Sequence, residues 1–311
     1  MRAAQISAYG GQDALAINND APKPVAGDGE VLVEVQAVST NPFDYKVRDG
    51  IYQEFIKLKL PATLGGDVAG VVAEVGPGVT GFEAGQEVYG QANAAGGRGS
   101  YAEFTPVKAS QLAAKPGSVD FVTAAALPLT AVSAYQAVVD TIQLRPDQKI
   151  LIHGGAGGIG TLAIQIAKNI GAHVATTASA ADADYVKGLG ADEVIDYNDQ
   201  DFSQLIKGYD AVFDTVGGDT NKKSYEVLKS GGTLVSMVEQ ADDELAKQRG
   251  INYVYQSSQP TPERLAAITA MVEAGKLQVH VDKVFPFEQT AEALEYLKTG
   301  HPRGKVVIQV K

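Results

Sequence analysis

The chain of 311 residues contains no cysteine. That absence removes a disulfide framework, a thiolate zinc site, an iron-sulfur cluster and a thiol nucleophile together. A chain this long buries roughly three quarters of its unfolded surface, so it needs no covalent staple, and the composition fits a reducing, intracellular setting. Positive charge is also scarce: 26 Lys and Arg against 37 Asp and Glu leave a formal net charge of -11. Such a surface repels a phosphate backbone, and no basic stripe with interleaved aromatics offsets it, so nucleic acid is excluded as a partner. No apolar run approaches the roughly 20 residues of a membrane-spanning helix. The segment Met1–Gly11 carries one basic residue and no secretory apolar core. The expectation is a soluble, cytoplasmic protein with no membrane partner.

What is present is ordinary for a folded enzyme: 45% hydrophobic and 20% charged residues, with no repeat and no low-complexity tract. At roughly 150 residues per domain the length predicts about two domains. Up to about residue 115 short β-rich runs such as Val31-Leu32-Val33-Glu34-Val35 and Val71-Val72-Ala73-Glu74-Val75 are separated by glycine and proline turns such as Gly76-Pro77-Gly78. This predicts a mostly antiparallel β domain. From about residue 120 strands alternate with helical patterns, which predicts βαβ units and a parallel sheet. Ile150-Leu151-Ile152, Val174-Ala175-Thr176, Val194-Ile195, Ala211-Val212-Phe213 and Thr233-Leu234-Val235 are the strand candidates. A helix is expected over Pro262 to Gly275 and another over Gln289 to Lys298, before a final strand at Val306–Val310 that rejoins the first domain.

The sharpest local signal is Ile150-Leu151-Ile152-His153-Gly154-Gly155-Ala156-Gly157-Gly158-Ile159-Gly160, a strand entering G-x-G-x-x-G. Ile159, Ala163, Ile166 and Ile170 then form one helical face closed by Gly171. In such a loop Gly155 permits the tight turn, Gly157 admits a pyrophosphate and Gly160 packs helix on strand, while Ala156, Gly158 and Ile159 bring backbone N–H groups to the helix N-terminus. A dinucleotide is the ligand this order predicts. About 20 residues on, where an acid would bond the ribose 2′-OH of NAD, the chain has Thr176-Thr177-Ala178-Ser179. Hydroxyls there do not repel a 2′-phosphate, which favours NADPH and leaves NADH as the alternative. Lys187 is the first cation downstream.

A second cluster, Asn41-Pro42-Phe43-Asp44-Tyr45-Lys46 followed by Gly50-Ile51-Tyr52, makes a well-formed short helix by itself, with Asn41 at the cap and Pro42 at the first position. The glycine-rich run Gln91–Tyr101 reads either as a lid with Arg98 toward anionic ligands or as an ordinary connection. His153, His173, His280 and His301 show no two-ligand spacing.

These clusters, together with Leu64-Gly65-Gly66-Asp67-Val68-Ala69-Gly70, Ile195-Asp196-Tyr197, Phe213-Asp214-Thr215-Val216-Gly217-Gly218 and Arg303-Gly304-Lys305-Val306-Val307, stand in the order seen in the medium-chain dehydrogenase/reductase superfamily. Over its whole length the chain resembles the zinc-independent quinone oxidoreductase and enone reductase branch, related to zeta-crystallin. The resemblance implies an α/β protein, with a GroES-like catalytic domain from residues 1–119 and 278–311 and a Rossmann domain at 120–277, substrate lying in the cleft between them. It implies hydride transfer from NADPH to a quinone or an α,β-unsaturated carbonyl, a homodimer, and no metal, since zinc-dependent relatives place Gly-His-Glu where this chain has Gly65-Gly66-Asp67 and use cysteines absent here. It also implies that Asn41, Asp44, Tyr45 and Tyr52 serve the reaction, and that Thr130, Tyr197, Arg303 and Lys305 serve the cofactor. An enoyl-thioester reductase, and a nucleotide-binding structural or redox-sensing module with little turnover, are the alternatives.

Overall fold

The computed structural model describes residues Met1–Lys311. Its strands, in chain order, are β1 Ala3–Ile6, β2 Leu15–Asn18, β3 Glu30–Ser39, β4 Ala62–Thr63, β5 Asp67–Val75, β6 Glu87–Gln91, β7 Phe104–Lys108 and β8 Leu112–Ala114, then β9 Lys149–Ile152, β10 His173–Ala178, β11 Glu193–Asp196, β12 Tyr209–Asp214, β13 Leu228–Ser236 and β14 Asn252–Tyr255, and finally β15 Val281–Pro286 and β16 Lys305–Gln309. Two compact units result. The first holds Met1–Leu129, Pro260–Ala274 and Val279–Lys311, the second Thr130–Gln259 and Gly275–Gln278.

In the first unit a seven-stranded sheet runs β15-β16-β3-β5-β6-β8 with β7 also paired to β3, beside a small sheet β2-β1-β4. All pairings are antiparallel except β15 with β16. The long strand β3 is the axis: Val31, Val33, Val35 and Val38 turn into one apolar core with Val68, Val72, Val88, Val107, Val306 and Ile308. The resemblance implies that residues 120–277 form the second domain; by its contacts the helix Pro262–Glu273 groups with the first unit. The reason is polar as well as apolar, since the buried Tyr89 hydroxyl donates to the Leu265 carbonyl at 2.8 Å and pairs with Thr269 at 3.0 Å.

The second unit is a six-stranded sheet in the order β11-β10-β9-β12-β13-β14, parallel throughout. Strand order reverses between β9 and β12, the switch point at which open α/β sheets bind ligands. The helix Gly158–Ile170 leaves β9 and stops at Gly171 in the left-handed conformation, φ 94°. Of its expected apolar face Ala163 and Ile166 are fully buried and Ile159 and Ile170 half-buried; Leu162, Ile164 and Ala167 widen the buried face.

Candidate functional site

In the first unit the site grows from three strand ends. β3 stops at Ser39, and Asn41 stays extended before the helix Pro42–Arg48. β3 pairs Ala37 with Ala69 of β5 and Ser39 with Val307 of β16. Continuing each register by two residues brings Asp67 opposite Ser39 and Lys305 opposite Asn41, so two charged side chains meet at the end of β3. The buried Asp67 carboxylate accepts from Ser39 Oγ at 2.7 Å, Asn41 Nδ2 at 2.9 Å, the Leu129 N–H at 2.9 Å, Gln91 Nε2 at 3.2 Å and Lys305 Nζ at 3.4 Å. Lys305 Nζ also donates to Asn41 Oδ1 at 2.5 Å and to the Thr40 carbonyl at 2.9 Å. One helical turn on, Asp44 Oδ2 accepts the Asn41 N–H at 2.8 Å and the Tyr101 hydroxyl at 2.7 Å.

Electrostatics follow from that burial. Asp44 is pushed up to about 7 chiefly by desolvation, against the hydrogen bonds from Tyr101 and Asn41, with Asp67 raising it further. The Lys305 amine is lowered by burial, which Asp67 and Asp44 oppose. Tyr101, fully buried, is raised well above its ordinary value by desolvation and by the Asp44 carboxylate. Its hydroxyl therefore keeps its proton and works as a fixed donor. Room for the ring comes from Gly65, with φ +93°, where a Cβ would stand 2.4 Å from Tyr101 Cδ1.

In the second unit the glycine loop is shaped by what its residues lack. A Cβ on Gly155 would lie 2.1 Å from Thr176 Oγ1, and one on Gly160 would lie 2.2 Å from the Gly154 carbonyl oxygen. Gly157 begins the helix with no side-chain cap, and the Thr161 N–H bonds back to its carbonyl at 3.0 Å. Gly158, Ile159 and Gly160 thus carry first-turn N–H groups of the kind that bind phosphate. Beside the loop a cavity of about 630 Å³ is lined by Gly154, Thr177, Tyr197, Asn198, Phe202, Val216 and Lys223, among others. The opposite wall is tied down by Asp214, whose buried carboxylate accepts from the Val216 and Gly217 N–H groups, Asn221 Nδ2 and Ser236 Oγ.

The sequence-predicted residues fall into three groups. Asn41, Asp44 and Lys305 come together in the buried lattice of the first unit. Tyr45 and Tyr52 are half-buried, Tyr52 stacked on Phe43 at 5.7 Å and Tyr45 with Lys298 Nζ 5.9 Å from its ring. Arg303 lies just before β16, its N–H on Asp282 Oδ1 at 3.4 Å. In the second unit Gly155 to Gly160 form the loop, Thr130 is buried in the helix Pro128–Tyr135, and Tyr197 is exposed on the cavity wall. Thr177 Oγ1 accepts the Gly154 N–H at 3.2 Å and bonds His153 Nδ1 at 3.1 Å, so it braces the loop. Ser179 Oγ donates to Asp182 at 2.8 Å, and Lys187 is exposed on the helix Ala183–Gly188. Arg98 is engaged by Glu30 at 2.8 and 3.0 Å. The residues that sequence reasoning missed are Asp67 as a hub, Tyr101, Gln91 and Ser39. Only the pairing of β16 and β5 with β3, of β6 with β5, and of the segment before β7 with Leu64 reveals them.

Two family models match this chain, an alcohol dehydrogenase GroES-like domain at residues 27–117 and a zinc-binding dehydrogenase domain at 189–308. It is 36% identical over 99% of its length to an NADPH-dependent alkenal/one oxidoreductase of Arabidopsis thaliana, of which 79% is covered. It is equally similar, at 36% over 99% of the chain and 79% of the relative, to a 2-methylene-furan-3-one reductase of Solanum lycopersicum. The solved quinone oxidoreductase of Coxiella burnetii superposes with a TM-score of 0.93 at 34% identity, covering 100% of this chain and 99% of that one. The chain belongs to the medium-chain dehydrogenase/reductase superfamily. Within that superfamily it stands among the quinone oxidoreductases and enone reductases, with a GroES-like unit and a Rossmann unit. At Gly66, where zinc-dependent members of the superfamily place a histidine, a Cβ would meet nothing within 4 Å. No three His, Cys, Asp or Glu side chains gather as a metal site would require.

Proposed function

We propose that this protein is an NADPH-dependent reductase of quinones and α,β-unsaturated carbonyls, working without a metal ion. The observation that carries the reading is the loop Gly154–Gly160, uncapped and closed by glycine contacts, in a chain similar end to end to enzymes named for these substrates. The loop residues fit the cofactor: backbone N–H groups of Gly158, Ile159 and Gly160 would hold a pyrophosphate, and the cavity bordered by Tyr197 and Thr177 is large enough for an adenosine end. β10 ends with Thr177 and Ala178 and Ser179 follows, its hydroxyl on the Asp182 carboxylate at 2.8 Å; no acid stands among these three residues, where one would bond the ribose 2′-OH of NAD, and this favours NADPH.

NADPH supplies the hydride when bound. The chain supplies fixed polarity in the first unit, where Asn41 and Asp44 are held by Asp67, Lys305 and Tyr101, and two hydroxyls, Tyr45 and Tyr52, as proton donors to the reduced acceptor. A ligand set for zinc is missing at Gly66 and there is no cysteine, so the acceptor is one already electron-poor, needing no Lewis acid. No helix is long and apolar enough to cross a membrane, and the lack of cysteine favours a cytoplasmic location. Strand β14, at the edge of its sheet with Val254 and Tyr255 exposed, suits pairing with a second copy.

The test is to follow NADPH and NADH absorbance on adding a naphthoquinone, a short enone and an enoyl thioester. Oxidation of NADPH by the quinone or enone is expected. Tight NADPH binding with no oxidation by any acceptor overturns the reading in favour of a binding module, and preference for the thioester redirects it to that substrate.

A further inference from the structure

The lattice at the end of β3 holds a constraint that the reduction reading does not use. Lys305 has three ammonium hydrogens, and three acceptors stand around it: the Thr40 carbonyl at 2.9 Å, Asn41 Oδ1 at 2.5 Å and Asp67 Oδ2 at 3.4 Å. With its side chain 4% exposed, nothing is left over for a phosphate oxygen. The carboxamide of Asn41 sits between a cation and an anion, its Oδ1 on Lys305 and its Nδ2 on Asp67 Oδ2 at 2.9 Å. An amide in such a place has one orientation. Turned over, it would set Nδ2 hydrogens against the ammonium and Oδ1 against the carboxylate, two repulsions in a buried setting where charge is poorly screened. The carbonyl oxygen is thereby turned to Lys305, one Nδ2 hydrogen is bound to Asp67, and the second Nδ2 hydrogen has no partner in the first unit.

We infer that Asp67 and Lys305 are positioning residues that fix the Asn41 carboxamide as a hydrogen-bond donor, its second Nδ2 hydrogen reserved for the carbonyl oxygen of the acceptor. Lys305 then acts through Asn41 and does not touch the cofactor. Asp67 is the stronger anchor of the two, since Ser39, Gln91 and the Leu129 N–H hold its carboxylate in place independently of Lys305. Removing Lys305 takes away one of the two partners that fix the amide while Asp67 stays where it is.

The activity arm of the test rests on the proposed reduction; the spectroscopic arm does not. In the Lys305→Met variant, kcat with the best quinone or enone is expected to fall at least tenfold while the NADPH Kd, read from nicotinamide fluorescence, stays within twofold. A rise of tenfold in that Kd with kcat retained would make Lys305 a cofactor ligand and overturn the inference. In the wild-type protein the two Asn41 side-chain amide protons, assigned in a ¹H–¹⁵N spectrum by their loss in Asn41→Leu, should exchange with water at rates at least tenfold apart, the slower being the one on Asp67. Equal rates would show an amide that is not held, and also overturn it. This wild-type measurement decides the matter even where Lys305→Met does not fold. If the wild type reduces none of the acceptors, the functional reading fails, and the exchange rates still judge the positioning.

Discussion

The two candidate sites, one in each unit, are built on opposite principles. In the first unit the candidate site is an arrangement of charge: Asp44, Asp67 and Lys305 are all buried, and each is matched by partners reaching in from separate strands and helices. In the second, the loop from Gly154 to Gly160 has no charged side chain at all, and its shape depends on empty volume at Gly155 and Gly160. Even the titratable group under that loop is silenced. Burial lowers His153 to about 4 against the pull of Asp214, so the imidazole stays neutral between Thr177 and Ser224. The first unit is therefore sensitive to a changed charge and the second to an added atom.

Removing one member of the buried pair should have the largest effect on stability. Asp67→Ala strands the Lys305 ammonium and the donors of Ser39, Asn41 and Gln91 in a dry interior. Loss of one partner of a buried ion pair costs about 3–5 kcal/mol. Urea unfolding should register a fall of that size; a loss under about 1 kcal/mol would mean that water reaches the cluster and screens it.

An added methyl group in the second unit comes next. In Gly160→Ala the new Cβ lies 2.2 Å from the Gly154 carbonyl oxygen and 2.8 Å from Gly155 Cα, both backbone atoms that cannot swing aside. Overpacking of this kind costs about 1–3 kcal/mol. Because the displaced atoms are the loop itself, NADPH affinity should drop at least tenfold. Unchanged NADPH fluorescence titration in the variant would show that the loop is not shaped by this contact.

The same contrast explains what the sequence discloses. The glycine loop is a local signal, a strand, a turn and a helix in one contiguous run, so its position and its cap at Gly171 are legible directly. The charged lattice is not local: Asp44 and Tyr101 are 57 residues apart and Asp67 and Lys305 are 238 apart. Seeing them together requires knowing that β16 and β5 both flank β3, and nothing in a single sequence states that order. Asp67 is visible only as a word in the motif Gly65-Gly66-Asp67, and Tyr101 only as the end of a glycine-rich run. Lys305, expected near the cofactor from the resemblance, is surrounded by acceptors of the first unit. The helix Pro262–Glu273 escaped its unit for a similar reason, since its pattern is helical wherever it packs and only Tyr89 shows where that is.

Charge burial in the first unit also predicts a pH signature, opposite in sign to the one that the lowered His153 gives the second unit. A carboxyl near 7 in the folded protein and near its ordinary value when unfolded binds more protons folded than unfolded between about pH 4 and pH 7. Its contribution to stability therefore declines as pH rises through that window and is lowest above 7. Asp44→Asn keeps an oxygen for the Asn41 N–H and the Tyr101 hydroxyl but cannot ionise. The Tm difference, variant minus wild type, should accordingly shift in favour of the variant between pH 5 and pH 8. Parallel profiles would place Asp44 in contact with water.

The smallest effect should come from the surface of the first unit. The bidentate pair between Arg98 and Glu30 spans the glycine-rich run and the start of β3, with side chains 47% and 16% exposed. Burial pushes the Glu30 carboxyl up, but the hydrogen bonds from Arg98 and the Gly27 N–H outweigh it and hold the group below the usual carboxylate range. Solvent screens such a pair, and Arg98→Ala should cost no more than about 1 kcal/mol. The variant separates the two readings of this run. As a pinned connection, it leaves KM for an anionic and a neutral quinone changed by the same factor; as a lid that meets anionic ligands, it raises KM several-fold for the anionic quinone alone. With both guanidinium ends already on Glu30, equal factors are expected.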